Sequence, residues 1–351
     1  MSSAAIIQRG IERRAFPSAV VETGTSDSVT WRQAFGRLTY EDDAPSTTES
    51  TIYDLASLTK VLATTPQTMR AVEAGAVALD HRVSQYLSDW RGADRESVTI
   101  ADLLEHTSGL TAYLPFFRDH HGRAEFQRAI GTLPLEYTPR SQSIYSDLGF
   151  ILLGFILEDV GFPLDEISSL KAGAAYSAES STGEGFVFGV RADDRDRCAP
   201  TELDLWRGRL LQGEVHDENA WALGGVAGHA GMFGTAASVG AFARQVLKGL
   251  GGETTFATPE TFVRFARKST VPGSSRALGW DTMLPTSSCG TRMSPRAIGH
   301  TGFTGTSLWI DPELDLYVVF LTNRVHPARD NNRIQPVRRA LHDAVVADLC
   351  S

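Results

Sequence analysis

The stretch GHTGFTGTSLWIDPELDLYVVFL, residues 299–321, carries the strongest structural signal in the chain. Two apolar runs, TSLWI and LYVVFL, flank DPELD, whose proline and acidic residues suit a tight turn. The runs are rich in β-branched and aromatic residues, so the segment predicts a β-hairpin. Residues 18–23 and 28–36 alternate in the same way around a Gly-Thr-Ser-Asp turn near the amino terminus. Helical periodicity marks 4–14, 55–65, 66–74, 99–104, 123–132, 147–159, 238–250 and 331–349. Residues 172–200 are rich in small and charged side chains and read as irregular surface. Strands at both ends with helices between them predict an α+β chain. Residues 1–55 and 270–351 form a discontinuous sheet domain, and 56–269 form a mainly helical region inserted into it.

The bulk numbers restrict function. Of 351 residues, 42% are hydrophobic and 21% charged, with a formal net charge of -9. No Lys/Arg block is present to neutralise a row of phosphates, which argues against a nucleic-acid partner. The longest apolar run, 148–157, is too short to span a bilayer, and no membrane partner is expected. The amino terminus, MSSAAIIQRGIERRAF, lacks the basic and apolar segments of a secretion signal, which makes cytoplasmic location the default expectation. Cys198, Cys289 and Cys350 are odd in number and widely spaced, as expected of reduced thiols. No internal repeat or coiled-coil heptad is present, and the oligomeric state cannot be read.

A second stretch, YDLASLTKVLATT at 53–65, sets Ser57 three residues before Lys60 in an apolar run. On a helix that spacing puts both side chains on one face. A serine hydroxyl is a poor nucleophile until a neighbour takes its proton. A lysine serves as base only when neutral, which near pH 7 demands a pKa fall of roughly three units, or about 4 kcal/mol. The spacing alone is weak, since Ser168 and Lys171 in SSLK share it at the margin of a polar loop. Two further stretches add weight. IYSDLGFILLG places Tyr145, Ser146 and Asp147 before a very apolar helix, and GHTGFTG sets a glycine-bordered turn beside a strand.

DLASLTK, YSD and HTG, in this order and at these separations, resemble the three motifs of the serine β-lactamase and penicillin-binding protein superfamily. They are most similar to its branch of class C β-lactamases, DD-peptidases and family VIII esterases. AFPSAVVETG, LLEHTSGL and WIDPELDLYVVFLTNR fit the same branch, so the resemblance covers nearly the whole chain. It implies a β-lactamase/transpeptidase-like α+β fold, with an antiparallel sheet flanked by helices and the site in the groove beside a helical region. It also implies Ser57 as the acylated nucleophile, Lys60 as its proton partner and Tyr145 as general base. The backbone N–H groups of Ser57 and Phe303 would form the oxyanion hole. His300, Thr301 and Gly302 would line the substrate groove. No metal or organic cofactor is implied.

One position departs from the pattern. The branch commonly has Asn where this chain has Asp147. An ionised carboxylate there would hold Lys60 protonated, against the neutral-base requirement. Either Asp147 is turned away or protonated, or Lys60 stays cationic and Tyr145 bears the proton transfer. Arg296, just before the HTG strand, could meet a substrate carboxylate bidentately or be an ordinary surface arginine. His216, Asp217, Glu218 and His229 lie in EVHDENAWALGGVAGHAGMFG, 214–234, which lacks a workable chelating spacing and reads as a loop bordering the cleft.

The expected activity is therefore hydrolysis of an amide or ester in a small-molecule or peptide substrate through an acyl-enzyme. Peptidoglycan-derived muramyl peptides are one candidate substrate. HTG in place of KTG removes a fixed cation, which fits peptides and esters better than β-lactams. A family VIII-type carboxylesterase is the alternative within enzymes. A non-catalytic peptide or β-lactam sensor is the alternative outside them.

Overall fold

The computed structural model describes residues 2–169 and 185–349. In chain order it begins with α1 (Ser3–Glu12), β1 (Ser18–Gly24), β2 (Val29–Gly36) and the short β3 (Tyr53–Asp54). Helices α2 (Thr65–Glu73), α3 (Ile100–Leu104), α4 (Gly122–Thr132) and α5 (Asp147–Asp159) follow. The middle continues with β4 (Val187–Phe188), β5 (Leu203–Asp204), β6 (Arg209–Leu210), α6 (Glu218–Ala222), β7 (Met232–Gly234), α7 (Ala236–Leu250) and α8 (Pro259–Phe265). The chain closes with β8 (Asp281–Thr282), β9 (Ile298–Thr301), β10 (Ser307–Asp311), β11 (Leu316–Thr322) and α9 (Ile334–Leu349).

Both termini build one six-stranded sheet of order β2-β1-β11-β10-β9-β8, antiparallel at every pairing. The period-two alternation of the hairpin decides which face each side chain joins. Trp309, Val318 and Phe320 pack under α1 and α9 with Ile7, Phe16 and Leu341. Leu308, Ile310, Val319 and Leu321 point the other way, into the large core with Val239, Phe242 and Val246 of α7. Every residue of β1 and β11 is buried because both faces of the sheet are covered. Helix α7, expected in the inserted region, packs on the sheet against β1, β10 and β11. The remaining large core gathers around α5, whose residues 148–157 are all buried.

Several boundaries differ from the sequence reading for local reasons. Thr235 caps α7 by accepting from the Ser238 N–H, so that helix starts at Ala236 and not at 238. Helix α9 starts at Ile334, three residues later than expected, because Asn331 is spent on a turn that caps the Arg333 N–H and holds the carbonyls of Arg14 and Ala15. Within the expected irregular surface, Ala192–Arg197 form a 3-10 turn with no buried residue, while 170–184 lie outside the described residues. No helix among the described residues is long and apolar enough to cross a membrane.

Candidate active site

The stretch 53–65 is not the continuous helix its periodicity suggests. Tyr53 and Asp54 pair with β7, Ala56–Leu58 forms a 3-10 turn, and Lys60–Thr64 is a π-helical segment leading into α2. Ala56 holds φ at 46°, a left-handed value that costs a non-glycine residue energy and persists only where surroundings enforce it. Asp54 enforces it by accepting from the N–H groups of Ala56 at 2.8 Å and His216 at 2.7 Å. The turn after β9 presses from the other side, through Thr304 Oγ1 on the Asp54 carbonyl and Thr306 Oγ1 on that of Leu55. A Cβ on Gly302 would lie 2.6 Å from the Leu55 carbonyl oxygen, so only glycine lets the HTG strand come this close to Ser57.

Ser57 Oγ accepts from Lys60 Nζ at 3.1 Å and from the Tyr145 hydroxyl at 2.8 Å. Lys60 is fully buried, and its ammonium uses its other two protons on Asp147 Oδ1 at 2.7 Å and the His229 carbonyl at 3.0 Å. Burial pushes the lysine pKa down, but the Asp147 carboxylate, helped by Tyr145, outweighs it and the net shift is upward. Of the two arrangements left open by the sequence, Asp147 faces Lys60 and makes a direct ion pair. Burial and the Asp147 charge push the Tyr145 phenol up to about 12, against the opposing pull of Lys60. The resting site therefore pairs a serine hydroxyl with a phenol and an ammonium.

Two histidines frame Tyr145. His106 lies tilted against it at 4.8 Å and accepts the Ser146 N–H on Nδ1, while His300 lies at 5.8 Å and donates Nδ1–H to the Thr301 carbonyl. Burial, reinforced by the nearby cations Arg276 and Lys60, holds both imidazoles well below their ordinary pKa and so neutral. The HTG histidine thus brings no charge to the site. Arg276 sits with its guanidinium 5.3 Å from the Tyr145 ring and 3.9 Å from Asp281, its one ion pair among the described residues.

A cavity of about 660 Å³ opens onto the site. Ser57, Tyr145, Asp147, His300, Thr301, Gly302 and Phe303 all line it. Arg296 does not: its side chain is 59% exposed and lies 4.0 Å from Glu313, because the turn before β9 faces solvent. The sequence reading of Arg296 as a substrate contact is therefore corrected. The 214–234 segment does border the cavity, through His216, Asp217, Glu218 and Ala230. His216 pairs with Glu202 and His229 with Asp217, each at 2.8 Å, so the two imidazoles serve separate carboxylates. Lys171 of SSLK lies outside the described residues.

Sequence reasoning missed His106, Arg276 and the His229 carbonyl. LLEHTSGL carried His106 in view as part of the resemblance, yet gave it no role. A backbone acceptor such as His229 leaves no side-chain signature at all.

With this geometry in view, similarity to known proteins becomes specific. The family model described as Beta-lactamase matches residues 4–342. The chain belongs to the β-lactamase family. A protein of Escherichia coli (strain K12), provisionally named a D-alanyl-D-alanine carboxypeptidase, is 31% identical over 346 residues, covering 89% of this chain and 79% of that one. Unliganded simvastatin synthase of Aspergillus terreus superposes with a TM-score of 0.75 at 20% identity, covering 99% and 97% of the two chains. A class C β-lactamase of Rhodobacter sphaeroides does so with a TM-score of 0.72 at 20% identity, covering 99% of each. At those identities the two structures speak for the fold, which is the β-lactamase/transpeptidase-like α+β fold. The chain is a β-lactamase-family serine hydrolase, a family that acts on small-molecule or peptide substrates.

Proposed function

We propose that this hydrolase cleaves the terminal amide of a short peptide ending in a free carboxylate, through an acyl-enzyme on Ser57. The observation that carries the reading is the pair of contacts on Ser57 Oγ, from Lys60 at 3.1 Å and Tyr145 at 2.8 Å, at the wall of a cavity large enough for a peptide end. The provisional carboxypeptidase name of the Escherichia coli relative supports the choice of bond.

In this mechanism Ser57 Oγ attacks the scissile carbonyl. Its proton passes through Tyr145 and Lys60, while Asp147 takes up one ammonium proton, so the buried pair acts as a single buffer. The leaving amine collects the proton, and the acyl group stays on Ser57. A water then adds to the acyl carbon, gives its proton to the same relay and releases the acid, with the proton returning to Ser57. The Ser57 and Phe303 N–H groups would hold the oxyanion, and losing one such donor costs on the order of 3 kcal/mol. Phe303 sits in the turn after β9 and its N–H has no acceptor among the described residues, which suits that role.

Intact-mass measurement after incubation with N-acyl-D-alanyl-D-alanine peptides tests the reading. A transient adduct of the acyl mass, absent in Ser57→Ala, is the expected result. Turnover by Ser57→Ala equal to that of the parent would overturn it, as would no adduct and no turnover on peptides, esters and β-lactams alike. A second reading, ester hydrolysis, is favoured by the neutral state of His300, which removes a cation from the third motif. Faster turnover of p-nitrophenyl acetate than of any peptide would select it. We infer a cytoplasmic location from the two buried thiols of Cys198 and Cys289, neither in a disulfide, and cell fractionation tests it.

A further inference from the structure

The Phe303 side chain is half-exposed at the cavity wall, so burial alone does not fix it. Two buried groups hold it instead. The His216 imidazole stacks on the ring, with centroids 5.7 Å apart and planes inclined by 26°. The Arg324 guanidinium lies over the ring at 4.5 Å, and its Nε donates to the Phe303 carbonyl at 2.9 Å.

Each holder is anchored elsewhere. Arg324 Nη1 donates to the carbonyls of Arg329 at 3.0 Å and Asn331 at 2.7 Å. Its stem folds back over Gly305, where a Cβ would lie 2.7 Å from Arg324 Cγ, so glycine leaves room for the arginine. His216 donates its backbone N–H to Asp54 Oδ2 at 2.7 Å, and its Nε2 bonds Glu202 at 2.8 Å. Glu202 is held in turn by Arg329 at 2.7 Å. Asp54 joins the two halves of the site. Its Oδ1 takes the Ala56 N–H and sets the turn before Ser57, while its Oδ2 takes His216. One carboxylate therefore ties the backbone of the nucleophile to the group that stacks on Phe303.

An oxyanion hole works only when its N–H groups converge on one point, about 2.7–3.1 Å from each donor. A turn residue held at both its ring and its carbonyl has little freedom left to swing its N–H away. We propose that His216 and Arg324 are positioning residues that aim the Phe303 N–H at the oxyanion formed when Ser57 is acylated. The inference rests on the acyl-enzyme reading above and gives the 214–234 segment a part in it. Such aim matters when charge develops on the carbonyl oxygen and little before, so its loss should lower kcat and leave KM nearly unchanged.

The test pairs kcat and KM for p-nitrophenyl acetate with inhibition by phenylboronic acid, whose tetrahedral adduct on a serine places an oxygen where the oxyanion would lie. Deleting an oxyanion donor costs about 10²–10³-fold in kcat, and misaiming one should cost about tenfold. His216→Ala is therefore expected to lose about tenfold in kcat and about tenfold in boronate affinity, with KM within about twofold of the parent. His216→Phe keeps a ring on Phe303 and should recover both to within about threefold. Arg324→Met should follow His216→Ala, and if it does not fold the two His216 variants decide. Unchanged kcat and boronate affinity in His216→Ala overturn the proposal. Equal losses in the Ala and Phe variants with an altered pH–rate profile also overturn it, since they make the imidazole a proton carrier. A raised KM at constant kcat overturns it too, as the mark of a substrate contact. The expected pattern without any peptide hydrolysis overturns the peptide reading and leaves the positioning role standing. A parent that neither turns over the ester nor binds the boronate overturns both.

Discussion

Lys60, behind the cavity-lining Ser57 and Asp147, and Arg338, on the cavity wall itself, are buried cations held in opposite ways. Lys60 spends its three ammonium protons on Ser57, Asp147 and the His229 carbonyl. Arg338 has one bond to a carbonyl, an orphaned Nε and another arginine for company. In the first case the protein supplies the counter-charge, so the ammonium belongs to the folded structure. In the second it supplies none, so no partner carboxylate is stranded when the guanidinium is removed. The contrast predicts that removing Lys60 damages the fold and that removing Arg338 does not.

Lys60→Met is the strongest way to break the comparison. It strands Asp147, and breaking a buried pair typically costs about 3–5 kcal/mol. The Asp147 side chain is 15% exposed, which puts the expected loss near the lower figure, about 3 kcal/mol. Ester and peptide turnover should vanish with it. Because the folded lysine pKa is raised, the pair's contribution is fully present below the unfolded value of about 10.4 and is lost as pH rises through the higher folded value. Urea denaturation between pH 7 and 11 measures both effects, and equal stability of parent and variant at pH 7 would contradict the account.

Tyr145→Phe separates chemistry from charge compensation. The phenol donates to Ser57 and makes no ion pair, so kcat should fall by about 10²–10⁴-fold while the unfolding midpoint changes little. A loss under tenfold would remove Tyr145 from the proton path.

His342 gives the Arg338 side its own pH signature. Its Nδ1 donates to the Arg338 carbonyl, its Nε2 has no partner, and burial depresses its pKa to about 4. A depressed histidine binds its proton more readily unfolded, so its contribution is present above about pH 6.5 and lost as pH falls towards 4. The pH-linked loss over that window is about 3 kcal/mol. His342→Phe should flatten the stability profile there, and an unchanged slope would assign the loss to other groups.

Asp147→Asn sharpens the Lys60 side. Without the carboxylate, burial loses its main opponent and the lysine pKa falls. If neutral Lys60 is the working base, the acidic limb of the pH–rate profile moves to lower pH. An unmoved limb means that Lys60 works as a cation and that Tyr145 alone relays the proton.

The same contrast explains what could be read from the sequence. The hairpin, the terminal strands and the α5 and α9 segments were legible because burial on a sheet or helix imposes a period on the residues themselves. Ser57, Lys60 and Tyr145 were legible through three ordered motifs, and the structure brings all three within hydrogen-bond reach. The break of 53–65 into strand, 3-10 turn and π-helix was not, because Asp54, Thr304 and Thr306 impose it from outside the segment. Arg296 misled by its nearness in sequence to HTG, although its turn faces solvent. Arg338 did leave a trace. It lies four residues after Ile334 and three before Leu341, on the buried stripe of α9, where a charged residue breaks the amphipathic pattern.

Arg338→Met is the smallest expected effect on stability and the sharpest on the comparison. A methionine fills most of the volume of the arginine stem and removes a guanidinium that has no acid partner. Replacing buried charge by apolar bulk is often neutral or stabilising, and no carboxylate is left stranded here. The loss of the 3.3 Å bond to Thr306 offsets part of the gain, so the unfolding free energy should stay within about 1 kcal/mol of the parent. Urea denaturation of Lys60→Met and Arg338→Met side by side is the direct comparison. A loss of about 3 kcal/mol in the arginine variant as well would mean that Arg338 is a structural brace of the oxyanion turn, through its bond to the Thr306 carbonyl.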